Sequence, residues 1–543
     1  MASDQKSTAQ NATKLNRHVG LIGLCFVAVG GMMGSGWLFA PLLVAQAAGP
    51  AALVSWLIGA VMILLITLTF AEIASLLPVA GGIARIPHFS YGNVVSMAIG
   101  FAAWVGYCMN APIAVMVTLE YASNEWDFIF VGDVSEHNLS WIGIVIAGSL
   151  MLVMVIINYF GVRIFAACNT GLTWIKILIP ISISVALIAS RFDVDNFTAD
   201  AGFAPGGLKG IMTGIASGGV IFAFFGFRHA IDMAGETKNP KVTIPLALTL
   251  SVLICAAIYM LIQVAFIGAL PNDELISGWD DLTFDHQLGP LAALATSLGL
   301  LWVSGVIYGG ALIAPFGGGL VATASNARLA LALSRNGFFL KFLDKISNRG
   351  VPLRALWFNY ALGMAMIFTF SFEKMVSLQV AALALSFCVG PLCVYSLRSQ
   401  LPHMKRGFAV PVVGITAPLA FICAVLVIYW TGWNTTFHLA LTLAVGGLLF
   451  AFSQLKDGFS LQNLDLKQGI WLLVLLCGTW LLSYLGNFGG GLGVIPFGWD
   501  SLACALLALF TFYLGYAQRL PNEKASLYLA EEIAAGDESD QDF

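Results

Sequence analysis

The sequence predicts an all-α membrane protein with 14 transmembrane helices, and three observations lead to that prediction. Of its 543 residues, 59% are apolar and only 10% are charged, whereas a soluble domain carries about 25% charged residues. The apolar residues come in blocks of roughly 20 to 30, the length that a helix needs to cross about 30 Å of hydrocarbon. A helix also satisfies its own backbone hydrogen bonds in lipid.

Fourteen apolar segments are predicted to cross the membrane, with boundaries that follow the hydropathy of the chain. In order they are 19–46, 51–77, 92–123, 139–160, 166–190, 210–235, 243–270, 289–333, 355–372, 375–397, 411–431, 437–453, 469–486 and 499–517. We expect residues 1–18 to form a cytosolic tail. Residues 519–543 carry seven carboxylates and are expected to form a solvated, acidic cytosolic tail.

The distribution of lysine and arginine predicts the orientation. With the N-terminus inside, 20 of the 25 lysines and arginines fall in cytosolic segments. Short cytosolic loops of membrane proteins carry such an excess of positive charge. An even number of crossings places both termini on one side. The chain is therefore predicted to be a multi-pass protein of the cell membrane with both termini in the cytosol.

Glycine clusters in the first and sixth segments predict interrupted helices. Residues 30–36 contain four glycines, and the sixth segment contains Gly218, Gly219 and Gly226. Each glycine in a helix interior costs about 1 kcal/mol relative to alanine. Tight helix packing is the alternative explanation for one such cluster, but it fits two clusters in corresponding segments less well.

The spacing of the interrupted segments predicts the domain organisation and the kind of ligand. They are five segments apart, as in two inverted five-helix repeats occupying 19–200 and 201–400, with helices 11–14 following in 401–518. Interrupted helices at corresponding positions indicate a binding site near the middle of the membrane. Free amides at a helix N-terminus hold a carboxylate, and freed carbonyls receive an ammonium group. The predicted substrate is therefore a zwitterion, such as an amino acid.

Four motifs, in order along the chain, carry a resemblance to a known family: Gly34-Ser35-Gly36, 71–82, 235–245 and 326–337. Over residues 15–455 the sequence resembles permeases of the amino acid–polyamine–organocation superfamily. It looks most similar to bacterial aspartate–proton symporters, through residues 34–40, 203–205 and 429–433. The resemblance implies a LeuT-like fold of five-plus-five inverted repeats with four additional C-terminal helices. It also implies secondary active transport of an amino acid.

The resemblance implies substrate contacts on the first and third segments. Gly34, Ser35 and Gly36 would line the substrate carboxylate. Asn110, in the third segment, is a further candidate for contact with the substrate. None of these residues is charged, so the carboxylate would be held by backbone amides and a hydroxyl group.

On the sixth segment the resemblance implies an aromatic gate and the ammonium side of the site. Phe222 occupies the place where relatives carry the aromatic gate. Ala223, Phe224 and Gly226 would line the ammonium side. Their backbone carbonyls, freed by the interrupted helix, would accept hydrogen bonds from the ammonium group.

Lys176 is the candidate for proton coupling. It lies deep in the fifth segment and matches a lysine that some proton-coupled relatives carry on their fifth helix. There the ammonium is thought to take the place of a sodium ion between helices one and eight. A buried lysine can also release and rebind a proton. The alternative is that the side chain extends to the cytosolic interface, and sodium coupling then stays open.

Arg228 follows the interrupted part of the sixth segment and has two open interpretations. A guanidinium there would bind a second carboxylate with two hydrogen bonds and so select aspartate or glutamate. Alternatively, it pairs with Asp232 four residues later. For the neighbouring His229 we expect a packing role. Glu72 and Glu236, near helix ends, are expected to be structural or gating residues.

These observations predict a secondary active transporter, a proton-coupled symporter of acidic amino acids. The alternative is an amino-acid exchanger of the same fold with a neutral or other substrate. A channel is disfavoured because no segment resembles a selectivity filter. An enzyme is rejected because no nucleophile–base pair or metal-binding motif stands in the apolar segments. The expected partners are the amino acid, protons and the lipid bilayer; we expect no cofactor, metal or nucleic acid, and the oligomeric state stays open.

Overall fold

The computed structural model describes residues 19–78, 82–123, 126–131, 139–160, 162–198, 202–275, 278–282, 289–335, 337–347, 350–456 and 465–537. Within these ranges the regular elements are α-helices, short 3₁₀ turns and two isolated β-bridges. The prediction of an all-α protein is confirmed for this part of the chain. The predicted N-terminal tail, 1–18, lies outside it.

The described residues form 22 α-helices. The first 17 are α1 (Leu21–Met32), α2 (Gly36–Ala48), α3 (Ala52–Leu76), α4 (Gly82–Tyr91), α5 (Asn93–Cys108), α6 (Asn110–Ala122), α7 (Trp141–Tyr159), α8 (Val162–Ser190), α9 (Gly207–Ala216), α10 (Val220–Phe224), α11 (Arg228–Asp232), α12 (Pro240–Ala269), α13 (Pro290–Ser297), α14 (Leu301–Arg335), α15 (Leu353–Thr369), α16 (Phe372–Phe387) and α17 (Val389–Gln400). The last five are α18 (Val413–Trp430), α19 (Trp433–Lys456), α20 (Ile470–Leu485), α21 (Trp499–Ala517) and α22 (Asn522–Asp537).

Eleven helical stretches in the described residues are long and apolar enough to cross a membrane, and each overlaps a predicted segment. The first predicted segment is not a separate stretch, because α1 is short and α2 runs on into α3. Helices α15 and α19 occupy two further predicted segments but are not among the eleven. The protein is thus a helical membrane protein, whereas the count of 14 crossings and the five-plus-five repeat stay predictions.

Both predicted helix interruptions are present. Helix α1 ends at Met32 and α2 begins at Gly36, which leaves three residues out of helix between them. In the sixth segment α9 ends at Ala216, and Gly219 has a φ of +95° before α10 begins. This left-handed conformation favours glycine because it has no Cβ. A 3₁₀ turn at Phe225–Phe227 then separates α10 from α11.

The two interrupted segments cross at the centre of the helix packing. Helix α1 packs against the 3₁₀ turn and against α11, α12 and α14. Glycine permits the close approach: a Cβ on Gly226 would lie 2.0 Å from the backbone N of Met32 and 2.1 Å from the carbonyl carbon of Gly31. Helix α14 also packs on α6, and α16 packs on α5 and α6. These helices surround the crossing and complete the site described below.

A charge cluster around the buried Glu72 ties α3 to the end of α17 and to the chain that follows it. The Glu72 carboxylate is 1% exposed and accepts hydrogen bonds from Arg398 at 2.9 and 2.6 Å. The backbone N–H of Val410 donates to the same carboxylate at 2.7 Å. The guanidinium Nε of Arg406 lies 3.1 Å from it. This arrangement agrees with the structural role expected of Glu72.

The acidic tail begins with a docked helix. Helix α22 packs against α4 and α17, and its Ala525 and Leu529 are buried. Burial alone lowers the pKa of Lys524, but the hydrogen bond and charge of Asp465 raise this pKa above its usual value. Apolar residues four positions apart thus give the helix one buried face, while most of its described residues stay exposed. The cytosolic position of the tail stays a prediction.

Candidate substrate-binding site

A pocket lies at the crossing of the two interrupted segments, and the space there that protein atoms do not fill, open solvent included, is about 450 Å³. Its wall comes from the α1–α2 break, the sixth segment and helices α6, α14 and α16. The lining residues are Gly31, Met32, Gly34, Ser35, Gly36, Asn110, Ile113, Ala114, Phe222, Phe225, Gly226, Arg228, His229, Pro315, Gly318, Gly319 and Gln379.

The α1–α2 break forms the side of the pocket suited to a carboxylate. Gly34 N–H donates to Met32 O at 2.8 Å, which turns the chain sharply after α1. Gly36 is the first residue of α2, and the first N–H groups of a helix have no partner within it. Such a helix N-terminus attracts anions. Together with the Ser35 hydroxyl, this edge can bind a carboxylate without a cationic side chain.

Six residues implied by the resemblance line the pocket: Gly34, Ser35, Gly36, Asn110, Phe222 and Gly226. Arg228, whose role is predicted from its charge, lines it as well. Ala223 and Phe224 do not line it. The carbonyl of Ala223 lies 3.1 Å from the hydroxyl of Tyr259 on α12, and Phe224 packs edge-on against Trp56. Because a helix turns about 100° per residue, α10 faces the pocket with Phe222 and directs the next two side chains away from it.

Arg228 is 1% exposed and lies on the pocket wall. Its guanidinium carbon is 4.3 Å from the ring centroid of Tyr107 on α5, within the range of a cation–π contact. Its Nη1 donates to the Phe225 carbonyl at 3.4 Å, while its Nε has no partner within the described residues. Arg228 and Asp232 form no direct ion pair within the described residues: the guanidinium packs on the Tyr107 ring, and the Tyr107 hydroxyl donates to the Asp232 carboxylate.

Asp232 contacts Tyr107, whereas its position four residues after Arg228 predicts a contact with that arginine. Its Oδ2 accepts a hydrogen bond from the Tyr107 hydroxyl at 2.8 Å. His229 Nδ1 lies 2.9 Å from the Ser325 hydroxyl and 4.0 Å from the same Asp232 oxygen. His229 also reaches the pocket wall. A buried polar network thus links α5, α11 and α14 directly behind the pocket.

Lys176 lies near the pocket but does not line it. The ammonium is 1% exposed and donates to the carbonyl of Gly30 at 2.6 Å, two residues before α1 ends. A Cβ on Gly317 of α14 would lie 2.9 Å from it. The side chain therefore lies between α8, α1 and α14. It does not extend to the cytosolic interface, which was the alternative position.

Sequence reasoning missed several lining residues. Gln379 of α16 is buried, lines the pocket and has an amide oxygen without a partner in the described part of the chain. It is the one amide side chain of the predicted segment 375–397, whose other polar residues are small or near its ends, and this is a usable signal. Gly318 and Gly319 belong to a run of three glycines in the eighth segment, a second signal of the same kind as the clusters in segments one and six.

Gly226→Ala is expected to abolish substrate binding, because its Cβ would overlap backbone atoms of Gly31 and Met32 that cannot rotate away. The matched control is Gly309→Ala on α14, whose Cβ would meet nothing within 4 Å. Equilibrium binding of substrate to the two purified variants measures the difference. Binding by Gly226→Ala equal to that of Gly309→Ala would contradict this close crossing.

The helices and the central pocket define a helical membrane transporter. The family model described as "Amino acid permease" matches residues 19–480. The chain therefore belongs to the amino acid permease family, and its resemblance to the amino acid–polyamine–organocation superfamily is confirmed. This family assignment supports a transporter and not an enzyme.

Two relatives from Bacillus subtilis (strain 168) are similar over nearly the whole chain. The glutamate/serine transporter AimA is 34% identical over 507 residues, which cover 92% of this chain and 93% of that protein. The aspartate-proton symporter is 33% identical over 510 residues, covering 93% and 97%. The serine/threonine exchanger SteT is 25% identical over 448 residues, covering 80% and 95%.

Proposed function

We propose that the protein is a proton-coupled symporter that carries aspartate or glutamate across the cell membrane. The observation that carries this proposal is that Arg228 lines the same pocket as the N-terminus of α2. The helix N-terminus suits the α-carboxylate of an amino acid. A guanidinium suits a second carboxylate, with two parallel hydrogen bonds.

The polar groups of Arg228 support this role. The charge is buried, and a tyrosine ring is a weaker partner for it than a carboxylate would be. Its Nε is without a hydrogen bond within the described residues, so a substrate carboxylate would supply the missing acceptor. The unpaired amide oxygen of Gln379 would accept from the substrate ammonium, beside the carbonyls of the sixth segment. Phe222 would close the pocket.

We assign proton coupling to Lys176. Its ammonium holds the carbonyl of Gly30 just before the break in α1, so loss of its proton would release this part of the substrate site. The contact with α14 favours the same view, since the lysine bridges helices that belong to the two proposed repeats. Those repeats, 19–200 and 201–400, would rock around the pocket, and both termini would lie in the cytosol.

The relatives favour acidic substrates and keep one alternative open. One of them is named for glutamate and another for aspartate. The name of the aspartate transporter also includes coupling to protons. The name of the first also includes serine, and SteT is named as an exchanger of serine and threonine. An exchanger that accepts a small neutral amino acid is therefore the second candidate.

Uptake of labelled aspartate into liposomes containing the purified protein tests the proposal. Accumulation is expected only with an inward proton gradient. Uptake that requires an amino acid inside the liposome, with no response to the gradient, would support the exchanger. Failure of aspartate to enter or to compete with other amino acids would contradict the proposed substrate.

Arg228→Ala is expected to weaken aspartate binding by about 1.5–3 kcal/mol, the contribution of hydrogen bonds to a charged group, while the affinity for serine changes little. Competition of each amino acid against a labelled substrate measures both affinities. Arg228→Lys is the matched control, since it keeps the charge but not the two-pronged geometry. Equal losses for both substrates would mean that Arg228 only supports the fold.

A further inference from the structure

Asp232 is a buried carboxyl group that the proposed transport mechanism does not use. The residue is 1% exposed. Its Oδ2 accepts from the Tyr107 hydroxyl, and its Oδ1 has no partner within the described residues. Among those residues no lysine or arginine nitrogen lies within 4.0 Å of it, and His229 Nδ1 is at 4.0 Å. An ionised carboxylate is costly in such a place, whereas a neutral carboxylic acid is not.

The packed helices bring few other charges to Asp232. Arg328 of α14 faces it but is paired with Glu236 at 3.3 Å. Helix α1 carries no Asp, Glu, His, Lys or Arg, α4 carries Arg85 and His88, and α12 carries only Lys241 near its start. The remaining packed helix, α3, has one acidic residue, which the arginine cluster described above holds.

Tyr107 connects this carboxyl group to the pocket. Its ring face lies under the Arg228 guanidinium, and its hydroxyl donates to Asp232. One side chain thus touches the cation on the pocket wall and the acid behind it. Because Tyr107 contacts both residues, a change in the charge or position of Arg228 alters the electrostatic environment of Asp232.

We propose that Asp232 binds a proton in addition to the one assigned to Lys176, and that an acidic substrate controls this step by neutralising Arg228. The inference rests on the proposed function. In the empty site the positive guanidinium stabilises the ionised carboxylate. When a substrate carboxylate binds Arg228, that stabilisation is lost and Asp232 takes up one proton from the solution that the pocket faces. A carboxylate and a proton become a carboxylic acid, the reverse occurs on release, and nothing else is consumed.

Proton and substrate then favour each other's binding by the same factor. The dissociation constant for aspartate falls by about tenfold for each unit of acidification where one proton is taken up with the substrate. A neutral amino acid leaves the guanidinium charge in place, so its affinity changes little with pH. This contrast separates a role of Asp232 from a general effect of pH on the protein.

Asp232→Asn tests the inference, because the amide mimics the neutral acid. The measurement is equilibrium binding of labelled aspartate to the full chain in nanodiscs, from mildly acidic to mildly alkaline pH. The variant is expected to keep the high affinity at every pH, so it binds aspartate more tightly than the unchanged protein under alkaline conditions. A substitution that only damaged the binding site would lower the affinity for aspartate and would not raise it. A pH dependence equal to that of the unchanged protein would overturn the inference.

Tyr107→Phe provides a second variant, which keeps the ring beneath Arg228 and removes the hydroxyl donor to Asp232. Without this donor the carboxylate is less stable, so the rise in aspartate affinity is expected to begin at higher pH. An unshifted profile would overturn the inference even if Asp232→Asn failed to fold. The control is Asp195→Asn, an exposed carboxylate outside the α-helices, whose profile stays unchanged.

The two proposals fail differently in this experiment. No aspartate binding to the unchanged protein at any pH would overturn the proposed function and the inference with it. Aspartate binding that strengthens in acid, with the same profile in both variants, would leave the function in place and overturn the role of Asp232.

Discussion

Lys176→Ala is expected to abolish the accumulation of substrate against its gradient while exchange of substrate across the membrane continues. The ammonium holds the Gly30 carbonyl at 2.6 Å, and alanine offers that carbonyl neither a hydrogen bond nor a titratable group. The accumulation ratio in liposomes with an inward proton gradient should fall by about tenfold or more, in the range of coupling between two sites. Exchange of labelled for unlabelled substrate measures the remaining transport.

Two further variants separate coupling from packing at this position. Lys176→Arg keeps a positive charge but does not release its proton, so it too should lose accumulation. Lys209→Ala removes an exposed lysine and should have no effect. Proton-driven accumulation retained in Lys176→Ala would sink the assignment of this residue.

Glu72→Ala is expected to cost about 3–5 kcal/mol in the free energy of unfolding, the effect of removing one partner of a buried ion pair. The guanidinium groups of Arg398 and Arg406 and the amide of Val410 would lose the acceptor they share. Thermal unfolding of the purified protein in detergent measures the loss as a fall in Tm.

Asp344→Asn is the matched control for this prediction. It breaks the Arg335–Asp344 pair, whose side chains are 49% and 53% exposed. Exposed pairs contribute about 0–1 kcal/mol, so Tm should hardly move. Equal falls in Tm for the two variants would contradict the view that burial makes the Glu72 cluster contribute more to stability than an exposed pair.

Local composition predicted the parts of the site that depend on the backbone. Glycine disfavours helix wherever it occurs, so the clusters at 30–36 and 218–219 marked both interruptions before any contact was known. The same reasoning indicated a deeply placed Lys176, because a long apolar block leaves no interface within reach. These features follow from the residue itself and its near neighbours.

Partners from distant segments could not be predicted in this way. A spacing of four residues suggested that Arg228 would pair with Asp232, yet Tyr107, 125 positions before the aspartate, lies between them. Likewise, which side chains of α10 face the pocket depends on where this five-residue helix starts. The sequence alone therefore did not show that Ala223 and Phe224 point away from the pocket. The docked helix α22 also pairs Lys524 with Asp465, a contact that no spacing in the chain predicts.

The docking of α22 also determines when, during synthesis, α4 can reach its final surroundings. The Ser90 hydroxyl donates to Gln400, 310 residues later, and the Ser90 carbonyl accepts from Leu520 N–H. The Gln400 amide donates in turn to the Leu520 carbonyl. Because the ribosome releases these partners in chain order, α4 waits for nearly the whole polypeptide before its polar groups are satisfied. A chain that terminates before Leu520 therefore leaves the Ser90 carbonyl and the Gln400 amide without their Leu520 partners.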